Sequence, residues 1–186
     1  QEGKLLPVEL AILFHYRYIR IHPFEDGNGR IARLMVNFIL ARHGYPMIVV
    51  RSRLKQLYLE ALHKADLIVG ATPADGAHAS LKDIRPFHKY MSKLIAEEVA
   101  NDVLFVTERN ENVWWYDGQR IAFRTATYSK ILRTMQIEDQ ATQAYLQEET
   151  GINRSALQKM ISILLDKGYI ARDDNGRWRV FLTPSV

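Results

Sequence analysis

The apolar positions of this chain fall into blocks with helical spacing, and the pattern changes after about residue 102. Residues 7–21 carry Val8, Leu10, Ala11, Ile12, Leu13, Phe14, Ile19 and Ile21. So few polar gaps predict a helix buried on most of its sides, with Pro7 suited to the first turn. His15 falls inside this block and reads as a hydrogen-bonded core histidine. A second helix is expected over 28–43, with Ile31, Leu34, Met35, Phe38 and Ile39 as its core stripe. Gly44 is its stop signal, after Arg42 and His43 in the last turn. Met47-Ile48-Val49-Val50 is apolar but too short to assign. A third helix over 52–67 would bury Leu54, Leu57, Tyr58, Ala61, Leu62 and Ala65. Residues 70–80 read as a loop. Residues 86–100 read as a helix burying Phe87, Tyr90, Met91, Leu94, Ile95 and Val99.

Residues 107–112 are polar and read as a boundary. Val113-Trp114-Trp115-Tyr116, Asp117-Gly118 and residues 119–123 predict a β-hairpin, because Asp-Gly favours a two-residue turn. Helices are expected over 125–136, 141–150 and from Asn153 or Ser155 through Leu165, with Gly151 at a turn. A last hairpin would run from Tyr169-Ile170 through Asp173-Asp174-Asn175-Gly176 to residues 178–182. Helix, helix, turn, helix and hairpin in that order resemble a winged helix-turn-helix. The predicted fold is therefore mainly α. It has a helical core at 1–106, a linker with a hairpin at 107–124, and a winged helix-turn-helix at 125–186.

Composition changes this picture little. The 186 residues suffice for one domain or two small ones, and 47% hydrophobic content supports a core. A net charge of +4 does not by itself call for nucleic acid. The absence of cysteine excludes disulfides and thiolate metal sites, and it suits a reducing, cytoplasmic setting. No run of eighteen apolar residues predicts a membrane span. Gln1-Glu2-Gly3-Lys4 does not read as a signal peptide.

The chemistry is concentrated between the first two helices, in His22-Pro23-Phe24-Glu25-Asp26-Gly27-Asn28-Gly29-Arg30-Ile31-Ala32-Arg33. Gly27 and Gly29 let a ligand approach the backbone closely. A helix starting near Asn28 points free N–H groups out of the turn, where anions, phosphate above all, bind. Arg30 and Arg33 sit in its first turns, where cations oppose the helix dipole. They make sense if a polyanion lies among them, since the guanidinium fork donates paired hydrogen bonds to phosphate. Asp26 could hold Mg²⁺ against the same phosphates. His22 is the natural general base, because imidazole titrates near neutrality. The bland alternative is a helix-entry loop with Asp26 as a cap and both arginines in solvent.

This stretch resembles the signature of the Fic (Fic/Doc) family, H-P-F-x-[D/E]-G-N-G-R-x-x-R, at every fixed position from His22 to Arg33. The resemblance implies a protein adenylyltransferase that moves AMP from ATP to a Ser, Thr or Tyr hydroxyl of a target protein and releases pyrophosphate. It implies that His22 deprotonates the hydroxyl and that Asp26 binds Mg²⁺ bridging the α and β phosphates. Gly27, Asn28 and Gly29 would form the anion hole, and Arg30 and Arg33 would bind the phosphate chain. Pro23 would stiffen the loop and Phe24 would anchor it in the core. An adenine pocket would lie along the third helix, lined by Tyr58 or Leu62, although core packing accounts for both residues about as well. The family has further elements before this point, including a flap that aligns the target, so the N-terminal part of the natural protein is expected to be missing. Thr107-x-x-x-Glu111-Asn112 fits the loose pattern of the family's inhibitory motif and is read as coincidence.

The tail has a second chemistry to offer. Arg154, Ser155, Gln158 and Lys159 would be the exposed positions of a recognition helix, with Arg172, Arg177 and Arg179 on the wing. Glu148, Glu149, Asp173 and Asp174 would repel phosphate. The tail is therefore expected to meet either DNA or a protein partner, a homodimer among them. The competing reading of the chain is a DNA-binding regulator whose Fic part senses nucleotide or removes AMP.

Overall fold

The computed structural model describes residues 5–185; the sequence Gln1-Glu2-Gly3-Lys4, read as no signal peptide, lies outside the described residues. The chain forms two units, residues 1–102 and 103–186. The first helix, α1 (Pro7–Ile21), has Pro7 at its start. The Leu6 N–H donates to the Glu9 carboxylate at 2.9 Å, so one orphan donor of the first turn is satisfied. Helix α1 buries Ala11, Ile12, Leu13, His15 and Tyr16. Fully burying one such aliphatic side chain stabilises the fold by about 1.5–3 kcal/mol.

Helix α2 (Asn28–Arg42) packs on α1. It buries Ala32, Val36 and Leu40, while Leu34 and Phe38 are 67% and 53% exposed. The expected stripe is therefore out of phase with the observed one. Apolar residues occupy nearly every side of this helix, so periodicity alone does not fix which face turns inward. Gly44, at φ 78°, follows the helix as expected.

The apolar segment after Gly44 is neither helix nor strand. Its Ile48 is buried and clasped by Asn37, whose amide donates to the Ile48 carbonyl at 3.0 Å and accepts the Ile48 N–H at 2.8 Å. A 3-10 turn (Ser52–Leu54) leads into α3 (Lys55–Val69). The segment expected as a loop contains a short helix, α4 (Pro73–His78). Thr72 caps it: its hydroxyl accepts from the Asp75 N–H at 3.2 Å, and the Thr72 N–H donates to the Asp75 carboxylate at 3.1 Å. Helix α5 (Arg85–Thr107) runs seven residues past the expected end at Ala100, and the division between the units falls within it. Phe87, Met91, Leu94 and Ile95 of α5 join Ile12, Tyr16, Leu40, Tyr58 and Ala65 in the core of the first unit.

In the second unit, β1 (Val113–Tyr116) and β2 (Gln119–Ala122) pair antiparallel around Asp117-Gly118. Both turn residues have positive φ, 47° and 68°, as a tight hairpin turn requires. Helices α6 (Ala126–Ile137), α7 (Gln143–Thr150) and α8 (Arg154–Asp166) follow. Strands β3 (Ile170–Arg172) and β4 (Trp178–Val180) form a second hairpin. A short β5 (Thr183–Pro184) returns to β1 as a third strand, which the sequence pattern did not announce. Trp114 fixes the core of this unit: its indole N–H donates to the Ser129 hydroxyl at 2.9 Å, and the side chain is fully buried among Ile131, Leu132, Met135 and Leu157. No helix among the described residues is long and apolar enough to cross a membrane.

Candidate active site

The site is built where α1 stops and α2 starts. His22 caps α1 in the left-handed region at φ 49°, and its N–H donates to the Tyr18 carbonyl at 3.0 Å. The side chain turns back on the same helix: Nδ1 lies 3.2 Å from the Ile19 carbonyl oxygen. A carbonyl only accepts, so Nδ1 carries the proton of the neutral ring. The lone pair is then on Nε2, on an exposed ring.

The loop that follows is held from within. The Phe24 N–H donates to Asn28 Oδ1 at 3.2 Å, and Asn28 Nδ2 donates to the Phe24 carbonyl in return. Asn28 is 2% exposed, so this clasp is sheltered from water. Phe24 itself is 55% exposed, against the expectation that it anchors the loop in the core. The anchor is the Asn28 amide, which satisfies two backbone groups of the turn that no ladder reaches.

Gly27, at φ 85°, is the residue before α2, and no side chain caps that helix end. The first N–H to bond within the helix is that of Ile31, donating to the Gly27 carbonyl at 3.0 Å. The N–H groups of Asn28, Gly29 and Arg30 thus precede the helical ladder at the positive end of its dipole. The Asn28 side chain is used in the loop, and its backbone N–H is what it offers to a ligand. A Cβ on Gly29 would lie 3.3 Å from the Arg33 guanidinium, and one on Gly27 3.6 Å from that of Arg30. The glycines therefore leave room for the two arginines to lie close over the backbone.

His22, Glu25, Asp26, Gly27, Asn28, Gly29, Arg30 and Arg33 line one open concavity of about 240 Å³. The motif residues read from sequence are brought together there. Asp26 and Arg30 form a pair at 3.1 Å, with side chains 93% and 75% exposed. Exposed pairs of this kind are worth little in stability, so both groups can exchange each other for a ligand at small cost. Tyr58 does not line this concavity. It is 5% exposed in the core, with its hydroxyl 3.0 Å from His15 Nε2. Burial pushes its hydroxyl up, and the nearby Arg33 charge and hydrogen bond pull the other way. Burial also lowers His15 to about 4, with the Arg33 charge adding to the effect. Leu62 belongs to the same core.

No group of three or more His, Cys, Asp or Glu able to hold a metal occurs among the described residues. A lone, accessible carboxylate at Asp26 fits a magnesium ion shared with substrate phosphates, since that ion keeps waters and takes one or two carboxylates. It does not fit a metal held by protein alone. In the second unit, Arg154, Ser155, Gln158 and Lys159 are exposed on the first turns of α8. Asn153 caps that helix by accepting the Ala156 N–H at 2.9 Å, and it also accepts from the Ser155 hydroxyl. Gln158 reaches Gln143 at 3.5 Å.

Sequence reasoning missed the polar frame behind the loop. Arg20 donates to the Tyr16 hydroxyl, Asp66 and the carbonyls of Gly70 and Thr72. Arg17 donates twice to the Ala79 carbonyl. The signal was present as two arginines within an otherwise largely apolar helix, but nothing in spacing says which distant carbonyls they meet.

The Fic/DOC family model matches residues 2–40. A protein adenylyltransferase Fic of Nematostella vectensis is 40% identical over 89 residues, which is 48% of this chain and 18% of that protein. Protein adenylyltransferase fic-1 of Caenorhabditis elegans is 37% identical over 87 residues, 47% of this chain and 14% of that protein. The chain thus matches only a small part of the length of these curated relatives. Among solved structures, a Fic domain containing signaling protein from Bacteroides thetaiotaomicron is 58% identical with a TM-score of 0.54. That likeness covers 55% of this chain and 39% of the other.

Proposed function

We propose that this chain, whose first unit carries a Fic/DOC family segment, belongs to an enzyme that transfers AMP from ATP to a Ser, Thr or Tyr hydroxyl of a target protein. The observation that carries this reading is the His22 ring. Its Nδ1 is bonded to the Ile19 carbonyl, which leaves Nε2 as a base in the same concavity as the open start of α2 and two arginines. An anion sensor would need the helix end and the arginines but no base.

The phosphate chain of ATP lies against the N–H groups of Gly27, Asn28 and Gly29, with Arg30 and Arg33 as charged donors. The acceptor hydroxyl gives its proton to His22 Nε2 as its oxygen bonds the α-phosphorus. The bond from that phosphorus to the bridging oxygen breaks, and pyrophosphate leaves with the electron pair. Preorganised N–H groups and guanidinium groups stabilise the charge on the phosphoryl oxygens without reorganising. Asp26 would hold Mg²⁺ together with phosphate oxygens, and that ion, when bound, would neutralise phosphate charge. Asp26 would leave Arg30 to do so, which frees Arg30 for the phosphates.

The test is incubation of the full-length protein and a cell lysate with ATP labelled at the α or at the γ phosphate, read as the label above that of the lysate alone. Label is expected on protein from the α position only, and to fall about 10²–10⁴-fold in His22→Ala. Label from the γ position would mean phosphoryl transfer and would overturn the reading.

A second reading rests on the exposed Arg154 and Lys159 of α8, which suit DNA backbone if the second unit is a winged helix-turn-helix. Against it, Asp173 at the hairpin turn is held charged by the N–H groups of Arg177 and Asn175. A gel-shift titration at two salt concentrations decides it. Binding that is lost in Arg154→Ala with a reduced salt slope would favour DNA.

A further inference from the structure

The end of α1 is fixed by one side chain. Arg20, only 11% exposed, donates to four acceptors: the Tyr16 hydroxyl at 3.0 Å, Asp66 Oδ1 at 2.9 Å, and the carbonyls of Gly70 and Thr72 at 2.7 Å each. Tyr16 donates in turn to the same Asp66 oxygen at 2.7 Å. The last turn of α1 is thereby bolted to the end of α3 and to the segment that leads into α4. The aliphatic stem of Arg20 lies on Gly76 of α4. A Cβ there would sit 2.3 Å from Arg20 Cβ and 2.4 Å from Cγ. Those atoms are close to the helix backbone and cannot swing aside as a side-chain tip could. Any residue but glycine at 76 must therefore shift the last turn of α1 and α4 against each other.

That turn is the one that aims His22. The His22 N–H and Nδ1 take their directions from the Tyr18 and Ile19 carbonyls, which immediately precede Arg20 in the same turn. A fixed carbonyl at Ile19 keeps the proton on Nδ1 and the lone pair on Nε2. We propose that Arg20, seated on Gly76, is a positioning residue for the base: it holds the helix end that selects the His22 tautomer and the direction of Nε2. This rests on the AMP-transfer reading for its consequence in rate, but not for its consequence in ring geometry. Arg17 is the natural comparison. It sits one turn earlier on α1, donates at 3.0 and 2.8 Å to the Ala79 carbonyl, and so ties the same helix to the far end of α4 without touching the turn's exit.

The experiment uses the full-length protein with ¹⁵N-labelled histidine and long-range ¹H–¹⁵N spectra, which report the tautomer of each ring. Wild type is expected to show His22 as the Nδ1-protonated form. Arg20→Lys and Gly76→Ala are expected to give a mixture of tautomers, because lysine cannot reach four acceptors in the fixed fork of arginine. Arg17→Lys is expected to keep the wild-type pattern at a similar loss of melting temperature. In parallel, AMP transfer in Arg20→Lys is expected to fall about 10- to 100-fold, as a base displaced by a fraction of an ångström to an ångström would cause. Its Kd for ATP should stay within about twofold, which separates aim from binding. If Gly76→Ala fails to fold, Arg20→Lys and Arg20→Gln still decide the matter. An unchanged His22 tautomer in the Arg20 variants, or an equal change in Arg17→Lys, would overturn the proposal. A wild-type protein with the expected tautomer and no AMP transfer would overturn the functional reading and leave the role of Arg20 standing.

Discussion

His15 and His22 lie seven residues apart on one helix, about two turns along it, and the protein treats them in opposite ways. His15 is fully buried, bonded through Nε2 to the Tyr58 hydroxyl, and its Nδ1 has no partner among the described residues. Burial drops its pKa to about 4, so it stays neutral and out of reach of any substrate. His22 is exposed at the helix exit, with Nδ1 committed to a carbonyl and Nε2 open. The difference teaches that what a histidine can offer a substrate is set by what its other nitrogen does and by whether the ring is exposed. Residue type and helical phase are nearly the same for both.

The sharpest way to break this comparison is to remove each ring in turn. His22→Ala should cost about 10²–10⁴ in AMP transfer and leave the melting temperature close to wild type, because the residue is exposed. His15→Ala should do the reverse. It opens a cavity and removes one hydrogen-bond partner of the Tyr58 hydroxyl, costing on the order of 2–4 kcal/mol of stability by chemical denaturation. Transfer measured well below its melting point should survive.

A smaller effect distinguishes the two by pH. The folded pKa of His15 is about 4 against 6.5 for the free group, so the unfolded chain binds a proton that the folded one refuses between those values. Stability from this group is whole above pH 6.5 and declines as pH falls toward 4, by on the order of 3 kcal/mol in all. Denaturation midpoints across pH 4–7 should show that slope, and His15→Gln should flatten it. An unchanged slope in that variant would place the proton uptake elsewhere.

Two milder variants test the loop. Asn28→Ala removes both bonds to Phe24 and should loosen the turn, at about 1–3 kcal/mol in stability, with transfer reduced as well. Asp26→Asn should leave the melting temperature unmoved, since its pair with Arg30 lies in solvent. Its effect should instead be a steeper requirement for added Mg²⁺ in the transfer assay.

Much of the site was legible because its residues are consecutive. From His22 to Arg33 the helix break, the glycines and the charges lie within one turn and two helix ends, and local chemistry is enough to assemble them. The phase of α2 was not legible. Leu34 and Phe38 looked like core and are exposed, while the small Ala32 is fully buried. Close packing of two helices prefers a small residue at the contact, and a scan for bulk overlooks it. The short α4 hid for a related reason, since its Gly and Ala residues read as loop while the Thr72–Asp75 capping box was the real signal. The Arg20 frame was beyond reach from sequence, because two of its acceptors are backbone carbonyls some fifty residues away.

The most direct test of the account sets His15→Gln beside His22→Gln in the full-length protein, with ATP labelled at the α-phosphate and a protein acceptor. The account predicts labelled protein with His15→Gln and background label with His22→Gln, at equal ATP binding. Label that persists in His22→Gln, or vanishes in a folded His15→Gln, would contradict it.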